Sequence, residues 1–196
     1  MKNLRFDLSI ALIIILGISC SKPGSTDQEE VILFAENAQD WIKGGDADWT
    51  FVNNELIGRL DSGQGFVVTK KAYKDFALTV EFYPDDTINS GVFLRCKNAG
   101  LSGEDCYELN IWDDNPNQEY RTGAIFLRSN PLAQVETINQ WNTYELRCEG
   151  DRIQASINGV VTADLRDQSR AEGFIALQAR GIGEIRFRNV KVRPLE

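Results

Sequence analysis

Apolar side chains recur at every second position along most of this chain, and that period admits β-strands and little else. Phe76, Leu78, Val80 and Phe82 share one face of the run from Phe76 to Phe82. The same alternation runs through Val92 to Arg95, Tyr107 to Trp112, Tyr144 to Cys148, Ile153 to Ile157, Phe174 to Gln178 and Ile185 to Val192. No long helical period follows Val31, and Asp164 to Arg170 is the candidate for a single turn. Asn53-Asn54, Asp85-Asp86 and Asn89-Ser90-Gly91 read as turns. Asn158-Gly159 is a two-residue hairpin signal, because both positions tolerate positive φ. Short strands punctuated in this way predict an all-β antiparallel sandwich or barrel. The 196 residues suit one domain with a real core, and no internal repeat suggests a propeller or solenoid.

The N-terminus reads as an address. Lys2 and Arg5 precede the apolar run Leu8 to Leu16, which falls short of the roughly 20 residues a membrane-spanning helix needs. Leu16-Gly17-Ile18-Ser19-Cys20 then resembles a lipobox, with Gly17 where that pattern prefers Leu. Residues 1–19 are therefore expected to be a lipoprotein signal peptide. Cys20 is expected to carry the acyl anchor, and Ser21 to Glu30 to form a polar tether. The β domain is expected over 31–196. This implies an exported lipoprotein of the cell envelope, at the outer membrane, held by its lipid alone. Export permits disulfides. Cys96 and Cys106 flank a glycine-containing loop and can pair across a hairpin, while Cys148 shares parity with Tyr144 and Leu146 and reads as a buried free thiol.

Composition removes whole classes of chemistry. There is no histidine, so a Ser-His-Asp triad, a Cys-His dyad and a His-ligated zinc are excluded. Acid–base work falls to Asp, Glu, Tyr, Lys or Cys. A net charge of −8 repels phosphate backbones, which argues against nucleic acid as a partner.

Alternation also sorts the polar side chains. Glu108, Asn110 and Trp112 oppose the core positions Tyr107, Leu109 and Ile111, and Asp113 follows at the strand end. Phe93 and Arg95 oppose Val92 and Leu94; Gln178 and Arg180 oppose Ile175 and Leu177; Thr122 and Ala124 can line the same surface. If these strands share a sheet, Arg95, Glu108, Asn110, Gln178 and Arg180 converge on one face of the kind that recognises sugars. A solvated face with cross-strand Glu–Arg pairs is the plainer account. Trp41, Trp49 and Trp141 are candidates either for sugar stacking or for closing a sandwich edge. Asp113, Asp114, Asn115 and Asn117 are the right ligand types for calcium but lack EF-hand spacing.

Several segments together resemble the 3-keto-disaccharide hydrolase domain family. They are Trp49-Thr50-Phe51-Val52, Tyr73-Lys74-Asp75-Phe76, Asn89 to Arg95, Tyr107 to Asp113, Thr122 to Ile125, Trp141-Asn142, Ile157-Asn158-Gly159, Gly173 to Gln178 and Phe187 to Val190. The resemblance implies a concanavalin A-like jelly-roll sandwich and activity on glycosides oxidised at C3. A C3 ketone acidifies the C2 proton, so a base can start elimination at C1, followed by hydration. Hydrolysis between two carboxylates is the other route. Glu108 and Asp113 are the expected catalytic groups. Arg95, Asn110, Trp112, Thr122, Gln178 and Arg180 are expected to bind substrate. No cofactor is certain from the sequence; a divalent metal could stabilise the enolate. The chain departs from the family at Ala179-Arg180-Gly181, where many members carry histidine, and at Asn110, where they tend to have Gln. A non-catalytic carbohydrate-binding module is the alternative function.

Overall fold

The structure, a computed structural model, describes residues 29–33, 41–98 and 104–195. The signal peptide, Cys20 and most of the tether lie outside the described residues. Among the described residues no helix is long and apolar enough to cross a membrane.

The seven alternating segments are strands, and six further strands join them; in chain order the first are β1 (Val31–Ile32), β2 (Trp41–Gly45), β3 (Asp48–Val52), β4 (Glu55–Leu60), β5 (Gln64–Thr69), β6 (Phe76–Pro84) and β7 (Asn89–Cys96). They continue as β8 (Tyr107–Ile111), β9 (Asn142–Glu149), β10 (Arg152–Ile157), β11 (Val160–Arg166), β12 (Phe174–Arg180) and β13 (Gly183–Pro194). One sheet runs β11-β10-β9-β6-β13-β4-β3, with β1 added against β13; the other runs β2-β5-β12-β7-β8. All pairings are antiparallel. The result is an all-β sandwich of two antiparallel sheets, one of the two architectures that the alternation allows. Phe76, Leu78, Val80 and Phe82 from one sheet meet Val92, Leu94, Leu109, Ile175 and Leu177 from the other in a single core. Asn53, Asn54 and Asn158 take positive φ in their hairpins, as their turn chemistry predicts.

Some local expectations fail. Asn89-Ser90-Gly91 is the start of β7 rather than a turn, which falls at Asp85 instead. There the Asp85 carboxylate accepts from the Thr87 and Ile88 amides, both at 2.8 Å. Asp164 to Arg170 holds no helical turn: β11 runs to Arg166. The one helical piece among the described residues is a 3₁₀ turn at Gln118–Tyr120, capped by Asn117. Trp41 and Trp49 are buried in the core rather than offered to a ligand. Trp141 is half-buried under Arg188, 3.8 Å from its ring centroid.

Strand β7 carries the largest departure from strict alternation. Phe174 pairs with Cys96, and Ala176 with Phe93, so Leu94 and Arg95 together oppose the single residue Ile175. This is a bulge, and Arg95 takes φ 52° within it. The extra residue exchanges the faces beyond it. Cys96 lands beside Phe93 on the outer face and bonds Cys106 there, next to Val68 and Ala176. Arg95 turns inward and is fully buried. Cys148 is free and buried.

Candidate active site

The outer face of the five-stranded sheet is organised by register. Asn110 pairs with Gly91 and Gly91 with Gln178; beside them Glu108 pairs with Phe93 and Phe93 with Ala176; Asn89 pairs with Arg180. Glu108, Asn110, Gln178 and Arg180 therefore do share a face. A cleft of about 420 Å³ opens over part of it, lined by Thr87, Asn89, Glu108, Asn110, Trp112 and Arg180, with Asn115, Tyr120, Phe126 and Ile182 completing the wall.

Glu108 dominates the electrostatics. It retains 8% of its surface. Burial pushes its carboxyl up to about 7, against the opposing pull of the nearby Arg180 guanidinium. Among the described residues nothing donates a hydrogen bond to its carboxylate, and Arg180 makes no ion pair within 4 Å. A poorly solvated carboxylate with no donor, beside an open cleft, is a candidate base.

The wall is built by the loop after β8. Asn110 Nδ2 donates to the Tyr120 carbonyl, as does Asn115 Nδ2 at 3.0 Å. Gln118 Nε2 donates to the Asp113 and Asn115 carbonyls at 3.0 and 2.7 Å. The Tyr120 ring, so placed, meets Phe126 edge-on at 4.9 Å. Backbone bonds from Phe126 to Glu108 and from Asn110 to Ala124 lay the returning chain along the free edge of β8.

Three of the predicted residues are used elsewhere. Arg95 does not reach the cleft. Its guanidinium donates to the carbonyls of Lys74 (2.9 Å), Gly150 (2.8 Å) and Arg170 (3.0 Å) and to Asp75 (3.0 Å). Asp113 is not a free base. It accepts from Thr137 N (2.6 Å), Thr137 Oγ1 (2.8 Å) and Ile138 N (3.3 Å), which fixes the approach to β9. Thr122 is buried, and its hydroxyl accepts from Trp112 N at 2.8 Å, holding the wall from behind. Alternation could not reveal this, because the faces depend on one bulge and on loop bonds distant in sequence.

Sequence reasoning missed Asn89, Tyr120 and Phe126. Asn89 shares parity with Gly91 and Phe93, a signal lost by reading it as a turn. The other two reach the cleft through loop geometry that carries no periodic signature.

The charge of the cleft does not suit a resident divalent metal. The cleft offers one carboxylate beside a guanidinium, and no three metal-binding acids or thiols gather among the described residues. The calcium idea fails too: Asn115 Oδ1 and Asn117 Oδ1 accept from the backbone at residues 117 and 119, and Asp113 is engaged as above.

A wider concavity of about 610 Å³ lies beyond the Gly181-Ile182-Gly183 turn, lined by Asp46, Asp48, Arg59, Asp61 and Glu184. Its Arg59 and Glu184 pair with each other, and no orphaned buried polar atom among the described residues belongs to its lining.

Two antiparallel sheets, one with a polar cleft on its outer face, define a concanavalin A-like jelly-roll sandwich of the galectin and glucanase type. The chain belongs to the 3-keto-alpha-glucoside-1,2-lyase-like domain family, whose profile matches residues 30–193. That membership makes it a carbohydrate-active type of domain. A search of the curated proteins finds no match. Among solved structures it is similar to a protein of Parabacteroides distasonis ATCC 8503 named provisionally as a glycosyl hydrolase, at 23% identity and TM-score 0.75 over 86% of this chain and all of the other. It is also similar to the carbohydrate binding module CBM66 from Bacillus subtilis, at 16% identity and TM-score 0.63 over 79% of this chain and 95% of that one. A Bacillus licheniformis β-glucanase follows at 14% identity and TM-score 0.58, over 88% of this chain and all of the other. At these identities the likeness is one of fold.

Proposed function

We propose that the cleft binds a glycoside oxidised at C3 and that Glu108 is the base that takes its C2 proton. The observation that carries this reading is Glu108 itself: the one carboxylate lining the cleft, buried, unbonded among the described residues, and raised to about 7. A carboxylate near 7 is well matched to proton abstraction at neutral pH.

Each step has a place to go. The C2–H electron pair moves into an enolate on the C3 oxygen, and Arg180 supplies the charge that stabilises it. Collapse of the enolate restores the ketone, forms C1=C2 and breaks the C1–O bond. The leaving oxygen takes the proton from Glu108. Hydration of the double bond then yields the hydrolysis product. Arginine stays protonated and cannot be the base; with no histidine in the chain, Glu108 is the carboxylate of the cleft available for that role. Hydrolysis by paired acids needs a second carboxylate across the scissile bond. With Asp113 committed to Thr137, the cleft lining offers none. Elimination is favoured for that reason.

The domain works at the cell envelope in this proposal, tethered through an acylated Cys20. Replacing Cys20 with Ser should release it into the soluble fraction and abolish incorporation of labelled palmitate; unchanged membrane fractionation would refute the anchor.

The primary test is release of a chromogenic group from a 3-keto-α-glucoside by the purified protein. Glu108→Gln should reduce release by at least about a hundredfold, the scale of general-base catalysis. Folded protein that binds the glycoside without releasing the chromophore would make the domain a carbohydrate-binding module.

A further inference from the structure

Glycine at position 91 sits where the sheet face is crowded. A Cβ there would stand 3.2 Å from the Phe93 ring, 3.3 Å from Glu108 Cγ and 3.3 Å from the Leu109 carbonyl. The side chain of the proposed base therefore stands over Gly91. Three amide side chains surround it. Asn110 faces Gly91 from β8, Gln178 faces it from β12, and Asn89 lies two residues earlier on the same face of β7. Asn89 Oδ1, Asn110 Oδ1 and Gln178 Oε1 are all buried without a hydrogen-bond partner. These are three of the six orphaned buried side-chain atoms among the described residues, gathered around one residue. Asn110 is 2% exposed and Gln178 4% exposed. The Asn110 amide is oriented by its Nδ2 bond to Tyr120, so its oxygen is the atom left over.

Buried acceptors need donors. Three carbonyl oxygens ask for hydrogens that the protein does not supply. A hard cation would satisfy them, but Glu108 is the only carboxylate lining the cleft and Arg180 already brings a positive charge. Hydroxyl groups supply donors without adding charge.

We propose that these three oxygens beside Glu108 form a hydroxyl-binding subsite, in which Asn89, Asn110 and Gln178 accept hydrogen bonds from the ring hydroxyls of the sugar. It rests on the reading of the cleft as a 3-keto-glycoside site and narrows its substrate class. The ligand is a pyranoside that keeps free hydroxyls beside the oxidised carbon and lays them on the sheet next to Glu108. Glycine is required because the Phe93 ring, Glu108 and the Leu109 carbonyl leave a side chain little room. Asn89, Asn110 and Gln178 are specificity residues: a ring lacking the matching hydroxyl leaves a buried acceptor unpaired, which discriminates far more strongly than the loss of an apolar contact.

Calorimetric binding of a 3-keto-α-C-glucopyranoside tests this, because its C1 carbon substituent cannot leave and turnover does not enter. The 2-deoxy, 4-deoxy and 6-deoxy forms are compared on the full-length protein and on Gln178→Met. That variant keeps the side-chain length and removes the acceptor. At least one deoxy ligand should bind the parent protein about tenfold or more weakly. In Gln178→Met the penalty for one hydroxyl should shrink to about twofold or less. Gly91→Ala should weaken every ligand and lower the thermal transition, because the Phe93 ring and Glu108 must give way. Equal binding of all four ligands, an equal loss across them in Gln178→Met, or saturable calcium binding that Gln178→Met abolishes would each overturn the subsite. Chromophore release from the corresponding O-glycoside separates the two claims. Release without hydroxyl dependence removes the subsite and keeps the base; hydroxyl dependence without release does the reverse. Absence of both binding and release removes both.

Discussion

Arg95 Nη2 donates to Asp75 Oδ1 at 3.0 Å inside the edge of the sandwich, with the arginine side chain fully buried and the carboxylate partly open to solvent. The same guanidinium ties down three backbone carbonyls, from the approach to β6, the β9–β10 turn and the approach to β12. It is a staple between the two sheets and not a sugar ligand. Arg95→Met should therefore cost about 3–5 kcal/mol of unfolding free energy, because it leaves three carbonyls without their donor and takes from Asp75 its charged partner, leaving it the Gly150 amide. Urea unfolding measures this. Native stability in the variant, with weakened sugar binding, would return Arg95 to the cleft.

Glu108 links activity and stability to pH with opposite signs. Its carboxyl is raised from 4.5 to about 7 in the folded protein, so the folded state holds the proton more tightly than the unfolded chain. Stability is then greatest below pH 4.5 as far as this group is concerned. It declines through the window from 4.5 to about 7 and levels off above, for a total of about 3 kcal/mol. Glu108→Gln should abolish that decline and be more stable than the parent at pH 8, as a pH series of thermal melts will record. Activity runs the other way. kcat/KM should rise with pH and level off above about 7, since the base must be unprotonated.

Asp113 provides the contrast. Three hydrogen bonds hold it to Thr137 and Ile138. Asp113→Ala should lose roughly 2–3 kcal/mol of stability. The acid limb of its pH–rate profile should keep the parental midpoint at permissive temperature. A shifted or vanished limb would make Asp113 a titrating participant.

The cysteines divide by environment. Burial pushes the Cys148 thiol up to about 12, so it is neutral and shielded at physiological pH. In Cys20→Ser protein kept oxidised, iodoacetamide should label nothing while the protein is folded and Cys148 alone after denaturation. Reducing Cys96–Cys106 should lower stability by about 2–3 kcal/mol, the scale expected for closing a loop of this length.

The sequence by itself determined seven of the strands, β6 to β10, β12 and β13, because alternation is a local property that each of those segments carries alone. The asparagine turns at Asn53-Asn54 and Asn158-Gly159 were equally legible, since positive φ selects the residues that tolerate it. So was the sharing of a face by Glu108 and Asn110, which lie two apart on one strand. Tertiary structure decided which polar residues stay with them. One extra residue in β7 sent Arg95 inward and Cys96 outward, and nothing in the period of two announces a bulge. Bonds across 24 residues took Asp113 out of the cleft. Only strand order brought Gln178 and Asn110 to either side of Gly91, leaving three carbonyl oxygens unpaired around the one position without a side chain. Which strands become neighbours depends on burying two whole sheet faces against each other, a condition no single segment contains.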